Sequence, residues 1–278
     1  MPAFTSIVHP TDYAKASANA FAHGLKLAVA SRGRFAIVHN AGGELEDAAR
    51  QESFPGVRDT LAAWGLLDLG TAAESVEEAL GVRVSKADLG GSATIEGVVR
   101  YIDRHEADLV VLGTAARDGL PRFLEGSIAE NVARRSGVAS LFLPHQGRGF
   151  VDAKSGALHL QSILIPVDHE PSPEAALSAA AGLVELLDAQ EAKLHLLHVG
   201  SAETMPAPGL PAWLGARAER LDRQGPVVET IVETANAVDA DLIVMTTAGR
   251  HGFLDALRGS TAEAVLRRAG RPLLAVPA

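Results

Sequence analysis

Short apolar runs alternate along this chain with longer stretches of helical periodicity. In the first half, residues 5–9, 34–39, 82–86, 109–112 and 139–143 read as short segments of strand length built around apolar residues. Between them, the Ala-rich stretch 14–30 and the stretches 92–105 and 128–136 place apolar residues at the three-to-four spacing of a helix. Strands and helices alternating at these lengths predict βαβ units, hence a parallel sheet with helices on both faces. Runs such as LVVL and LIVM, with no polar alternation, suit strands covered on both sides.

The pattern occurs twice. ADLVVLGTAARDGLPRFLEGSIAENVARRSGVASLFLP in the first half aligns without a gap to ADLIVMTTAGRHGFLDALRGSTAEAVLRRAGRPLLAVP in the second. Ala107 matches Ala240, Gly126 matches Gly259 and Pro144 matches Pro277, all at one constant spacing. The starts of the halves also match, SIVHPTD with SILIPVD, but Asp12 pairs with Asp168 at a wider spacing, so the second copy is shorter inside. The loss falls between the second and third strands. There the first copy holds residues 57–80, enough for a full helix, and the second holds the Pro-rich MPAPGLPAWLGAR, which cannot form a long one. The expected organisation is domain one at 1–146, a polar Gly-containing connector at 147–160, and domain two at 161–278, with one helix missing from domain two and one of its sheet faces less covered.

A length of 278 residues fits two such domains. With 47% hydrophobic residues and a mean hydropathy of +0.13, disorder is excluded, while only 4% aromatics leave the cores to Ala, Val, Leu and Ile. The net charge of −9 and the lack of a basic stripe argue against nucleic acid as a partner. With no cysteine there are no disulfides, thiolate metal sites or Cys nucleophiles. The start, MPAFTSIVHPTD, has no basic segment leading into an apolar one, and no apolar run approaches the roughly 20 residues of a membrane span. The expectation is a soluble cytoplasmic protein that engages no membrane.

Ligands of open parallel sheets sit beyond the carboxyl ends of the strands. In domain one the fourth strand runs into Gly113, then Ala116, and Gly126-Ser127 opens the next helix; in domain two the same places hold Thr246, Gly249 and Gly259-Ser260. Glycines there let backbone N–H groups approach a phosphate, and a helix start adds unpaired donors. The same residues also read as ordinary helix caps. Ser127 with Glu130, and Ser260 with Glu263, fit the capping box, in which the Glu side chain is occupied by the cap.

These motifs resemble the nucleotide-binding signature of the universal stress protein family: Gly, two residues, Gly, nine residues, then Gly with Ser or Thr. IVHPTD and LIPVD resemble that family's first strand with its aspartate, and AIVHN and LLHVG its second strand. The chain is thus similar to a tandem pair of such domains, outside the connector and the shortened segment. The resemblance implies two Rossmann-like, adenine-nucleotide α-hydrolase-like α/β domains, each a parallel five-stranded sheet flanked by helices. It implies an adenine-nucleotide site for ATP, with Mg2+ accompanying the triphosphate, and a regulatory or sensor role in stress response. Slow ATP hydrolysis or autophosphorylation is the most that family analogy supports, since no residue pair here forms a general base and nucleophile.

Each copy departs from the signature once. Ala116 replaces the middle glycine of domain one and Thr246 the first glycine of domain two. A methyl on the phosphate side is more disruptive than a hydroxyl near the ribose, which ranks domain two ahead, and the Thr246 hydroxyl could donate to a sugar or phosphate oxygen. By resemblance, Asp168 and Val199 line the base pocket of domain two, with Thr246, Gly249, Arg250, Gly259, Ser260 and Thr261 around ribose and phosphates. Asp12, Asn40, Gly113, Ala116, Gly126 and Ser127 are their counterparts in domain one. Either aspartate could accept from an adenine amine or cap the helix after it. His9, His39, His169, His198 and His251 show no metal-ligand spacing and read as hydrogen-bonded strand-end residues. The apolar last strands, ASLFLP and PLLAVP, predict pairing of the two halves as a pseudo-dimer, and the less covered face of domain two a homodimer. The alternative is a degenerate scaffold that binds no nucleotide and acts through protein contacts.

Overall fold

A computed structural model describes residues 4–39, 52–68, 74–90, 94–114, 128–145, 148–207, 209–247 and 260–278. The chain forms two compact units, Met1–His145 with Val151–His159, and Gln146–Phe150 with Leu160–Ala278.

In the first unit β1 (Ser6–Thr11) leads through a 3-10 turn, Lys15–Ser17, into helix α1 (Ala18–Ser31) and then β2 (Arg34–His39). Helices α2 (Val57–Ala63) and α3 (Glu74–Leu80) precede β3 (Arg83–Asp88). Helix α4 (Thr94–Arg104), β4 (Leu109–Thr114), α5 (Ile128–Ser136) and β5 (Ala139–Pro144) complete it. The strand order is β3-β2-β1-β4-β5, parallel throughout. The stretch 57–80, long enough for one helix, instead holds two short ones. Helix α2 stops at Trp64, and Gly65 follows with φ +71°, a left-handed conformation that ends the helical ladder.

The second unit repeats the plan with β6 (Ser162–Pro166), α6 (Glu174–Leu186), β7 (Lys193–Val199), the single turn α7 (Ala212–Gly215), β8 (Ala218–Arg223), α8 (Val227–Ala237), β9 (Leu242–Thr247), α9 (Thr261–Ala269) and β10 (Leu273–Pro277). Its order is β8-β7-β6-β9-β10, again parallel. Between β7 and β8 the described residues form only a 3-10 turn, Ala202–Thr204, and α7, so this unit lacks a counterpart of α2 and α3.

One device fixes the central strands in both units. The Asp108 carboxylate accepts from the backbone N–H groups of Thr5 and Ser6 at 2.8 and 3.0 Å, and Asp241 does the same for Gln161 and Ser162. Each carboxylate sits just before the fourth strand of its unit and grips the start of the first, setting the register of the pair whose ends carry Asp12 and Asp168. The aromatic residues are few but concentrated. Phe21 and Phe35 are fully buried, and the His9 ring stacks on Phe35 with centroids 6.4 Å apart.

The segment after β5 is packed on both units in turn. In the second, Phe150 is fully buried and Arg148 pairs with Asp241 at 2.6 Å and Asp239 at 3.1 Å. In the first, Val151 bridges Leu158 in antiparallel fashion and donates its N–H to His23 Nε2 at 3.0 Å. The Trp64 indole donates to the Ala153 carbonyl at 3.2 Å and lies over Gly156, whose φ is +68°.

Candidate functional site

In the second unit, the ends of β6, β7 and β9 and the starts of α8 and α9 surround a cavity of about 330 Å3. Asp168, Val199, Thr246, Ser260 and Thr261, all expected at the site, line it. Leu197, Val227, Ile231 and Met245 supply apolar wall, and Glu170 and Pro171 belong to the loop after Asp168. Gly249, Arg250 and Gly259 lie outside the described residues.

The polar groups are each held in place. Ser260 caps α9, its Oγ accepting from Glu263 N–H at 3.2 Å. That leaves the N–H groups of Thr261 and Ala262 without helical acceptors, at the end of the cavity that these residues and Ser260 line. The Glu263 carboxylate, expected to be occupied by the cap, forms an ion pair with Arg267 one turn on. The Thr246 hydroxyl is committed as well: its oxygen accepts from Ala176 N–H at 3.1 Å, satisfying an orphan donor in the first turn of α6. An oxygen that accepts in this way keeps its own proton to donate. Asp168 is exposed, and among the described residues its Oδ1 accepts from the N–H of the next residue, His169, at 2.8 Å.

The corresponding cavity of the first unit, about 260 Å3, is lined by Asp12, Gly113, Thr94, Val98, Leu112 and Ile128 among others. Asn40, Ala116, Gly126 and Ser127 lie outside the described residues. Asp12 differs from Asp168. Its Oδ1 accepts from Ala14 N–H at 2.9 Å and Ser17 O–H at 3.1 Å, so the carboxylate closes the turn that starts α1. Gly113 needs no special conformation, and a Cβ there would meet Ala16 O at 3.4 Å, an ordinary contact.

Buried histidines brace both strand ends. His39 Nδ1 bonds the Thr11 carbonyl at 2.9 Å and His198 Nδ1 the Val167 carbonyl at 3.1 Å, in each case the residue just before the site aspartate. His198 Nε2 also meets Thr204 Oγ1 at 3.0 Å, while His169 Nε2 donates to the Thr204 carbonyl at 3.1 Å. Burial holds His9 and His23 far below the usual imidazole range, at about 4, against the opposing pull of their bonds to the Val111 and Asn19 carbonyls. Among the described residues no cluster of three or more His, Asp or Glu is placed to hold a metal ion, and no helix is long and apolar enough to cross a membrane.

The sequence reading missed Val227, Ile231 and Met245 in one cavity and Thr94, Val98 and Ile128 in the other. The repeat itself carried the signal. The spacing that pairs Gly126 with Gly259 also pairs Thr94 with Val227, Val98 with Ile231 and Ile128 with Thr261.

A universal stress protein from Archaeoglobus fulgidus DSM 4304 shares this architecture with a TM-score of 0.65 at 17% identity, covering 98% of each chain. A functionally unknown protein from Pseudomonas aeruginosa PAO1 does so at 0.66 and 17%, covering 99% of this chain and 93% of that one. The cytoplasmic domain of a prokaryotic cation chloride cotransporter follows at 0.52 and 11%, covering 99% and 95%. At such identities the likeness speaks for the fold alone. A search of curated protein sequences returns no match. The model of the universal stress protein family, however, matches residues 3–143 and 216–277, the greater part of both copies. With its tandem repeat, its parallel sheets and that match, the chain belongs to the universal stress protein family.

Proposed function

We propose that the second unit binds an adenine nucleotide, ATP, and that the chain acts as a regulator or sensor in a stress response. One observation carries this reading: a single cavity gathers Asp168, Val199 and Thr246 with the Ser260-capped start of α9. The residues fit the ligand. Leu197, Val199, Ile231 and Met245 suit the faces of a flat ring, Asp168 suits an exocyclic amine, and Thr246, Thr261 and the α9 N–H groups suit ribose and phosphate oxygens. The volume also favours this unit. The second unit's cavity, about 330 Å3, is larger than that of the first, about 260 Å3. No cationic side chain lines the cavity among the described residues, so Mg2+ would travel with the triphosphate. No described group is set as a base beside a nucleophile, so the role is binding, with slow hydrolysis or autophosphorylation as its ceiling.

The test pairs Asp168→Ala with Asp12→Ala in ATP calorimetry, alongside mass spectrometry of nucleotide extracted from fresh protein. Asp168→Ala should weaken ATP about tenfold, the loss of one hydrogen bond to a charged acceptor, and Asp12→Ala should leave affinity unchanged. A second reading, a scaffold acting through protein contacts, draws on the Thr246 oxygen and the Asp12 carboxylate already being engaged within the protein. A heat-silent titration with no extracted nucleotide would favour it.

For assembly, the outer strands β3, RVSKAD, and β8, AERLDR, are blunted by charge, whereas β5, ASLFLP, and β10, LLAVP, end their units' strand orders with apolar sequence. We propose that these two apolar edges pair as an intramolecular pseudo-dimer. Trp213, 42% exposed on α7 where the second unit is shortened, supports a further homodimer. A monomeric mass by light scattering would refute the homodimer. The proposed location is the cytoplasm.

A further inference from the structure

Asp168 starts a loop that two histidines tie down, although neither histidine lines the cavity. His198, buried near the end of β7, gives its Nδ1–H to the Val167 carbonyl at 3.1 Å. A carbonyl only accepts, so in the neutral ring Nε2 is an acceptor, and it takes the Thr204 hydroxyl proton across 3.0 Å. The Thr204 carbonyl in turn receives the Nε2–H of His169 at 3.1 Å, and the backbone N–H of His169 is the donor that Asp168 Oδ1 accepts at 2.8 Å. The links thus run from Val167 through the 3-10 turn and back to Asp168, the next residue. The chain makes room for them: a Cβ on Gly200 would lie 2.4 Å from His198 Nε2, and the Gly200 N–H is fixed to the Arg223 carbonyl at 2.9 Å. The circuit also tolerates a proton. With both ring nitrogens protonated, His198 Nε2 donates to Thr204 Oγ1, and the hydroxyl turns to the Ser201 carbonyl 3.0 Å away. The first unit makes the same connection by other means. There His39 Nδ1 bonds the Thr11 carbonyl, and Tyr13, the residue after Asp12, places its ring 4.6 Å from that of His39. In both copies the residue that follows the aspartate is tied back to the histidine at the end of the second strand.

We propose that His198, Thr204 and His169 are positioning residues, a hydroxyl–imidazole latch that sets the direction of the Asp168 carboxylate. The proposal rests on reading the second cavity as a nucleotide site. Thr204 is exposed on a turn of three residues, so its hydroxyl acts through the latch rather than through packing. With the latch made, Oδ1 of Asp168 is engaged and Oδ2 remains, among the described residues, to meet an exocyclic amine. Without it, the loop that carries Asp168, Glu170 and Pro171 to the cavity loses the His169 tie to the turn after β7.

The experiment compares the full chain with Thr204→Val, which keeps the shape and removes the hydroxyl, and with Thr204→Ser, which restores it. Calorimetry reads ATP affinity, and amide hydrogen exchange by NMR reads the His169 N–H without ligand. Thr204→Val should weaken ATP about fivefold and speed His169 exchange by a similar factor, the worth of one hydrogen bond, with Thr204→Ser close to wild type. Gly200→Ala, which drives a methyl against His198 Nε2 and leaves Thr204 in place, should reproduce both effects. In the Asp168→Ala background, Thr204→Val should cost no further affinity, because the latch then has no carboxylate to aim. Unchanged ATP affinity or unchanged His169 exchange in Thr204→Val overturns the proposal, as does a loss of affinity that adds in full to that of Asp168→Ala. A wild type that binds no ATP defeats the nucleotide reading instead, and the latch itself is then decided by His169 exchange and its rescue by serine.

Discussion

His23 makes the first unit sensitive to mild acid. Its ring is fully buried, with Nδ1 donating to the Asn19 carbonyl and Nε2 accepting from Val151 N–H, so the native state requires the neutral form. Burial lowers its pKa from 6.5 to about 4. In the unfolded chain the ring titrates near 6.5, so between these values the unfolded state binds more protons than the native one. Stability is therefore fully present above pH 6.5 and falls as the pH drops toward 4. Between pH 7 and pH 5 the loss is about 2 kcal/mol for His23, and His9, lowered to about 4 by the same cause, adds a similar amount. Urea unfolding of the full chain, followed by Trp64 fluorescence in a Trp213→Phe background, reads this unit because the chain has only those two tryptophans. His23→Gln, which retains a donor and an acceptor but does not titrate, should lower stability somewhat at pH 7. It should also remove about 2 kcal/mol of the difference between pH 7 and pH 5. Equal pH dependence in the two proteins would refute the reasoning.

Three further outcomes are expected. Gly156→Ala adds a Cβ 2.6 Å from the Trp64 ring at a φ of +68°, so it should cost about 1–3 kcal/mol and red-shift Trp64 emission. Asp241→Ala strips the acceptor from Gln161 and Ser162 N–H and from Arg148, so urea denaturation should show a loss of about 3 kcal/mol in the second unit. Asp12→Ala removes the acceptor of the α1 turn and should lower the first unit's melting stability by about 1 kcal/mol, whereas Asp168→Ala should change stability little.

Most strands and several helices were legible because a buried parallel strand is a local signal. Arg34–His39 and Ile128–Ser136 fall at the expected bounds, and the other matched elements differ by a few residues at their ends. The split of 57–80 into α2 and α3 was not, because apolar content says nothing about where one glycine takes a left-handed conformation. At the site, the residues of the glycine signature were legible as a set, but not which hydroxyls were spoken for. Thr246 meets Ala176 across 70 positions of sequence, and the bond of Val151 to His23 spans 128. Contacts of that range depend on the assembled sheet, and no local pattern encodes them. Wall residues that correspond between the two cavities were written in the repeat, at Ile128 against Thr261 and Thr94 against Val227, although the family signature does not extend to the second pair.

The short stretch after β5 has a consequence for how the duplicated halves can evolve. A first half ending at His145 would lose the peptide N–H that His23 accepts from and the carbonyl that Trp64 donates to. A second half starting at Gln161 would lose buried Phe150 and leave Asp241, 5% exposed, without its arginine. Each copy thus depends on residues encoded beyond its own repeat. Any single break between the repeats therefore strips packing or hydrogen bonds from at least one of them, so dividing the gene at one point would not yield two intact halves.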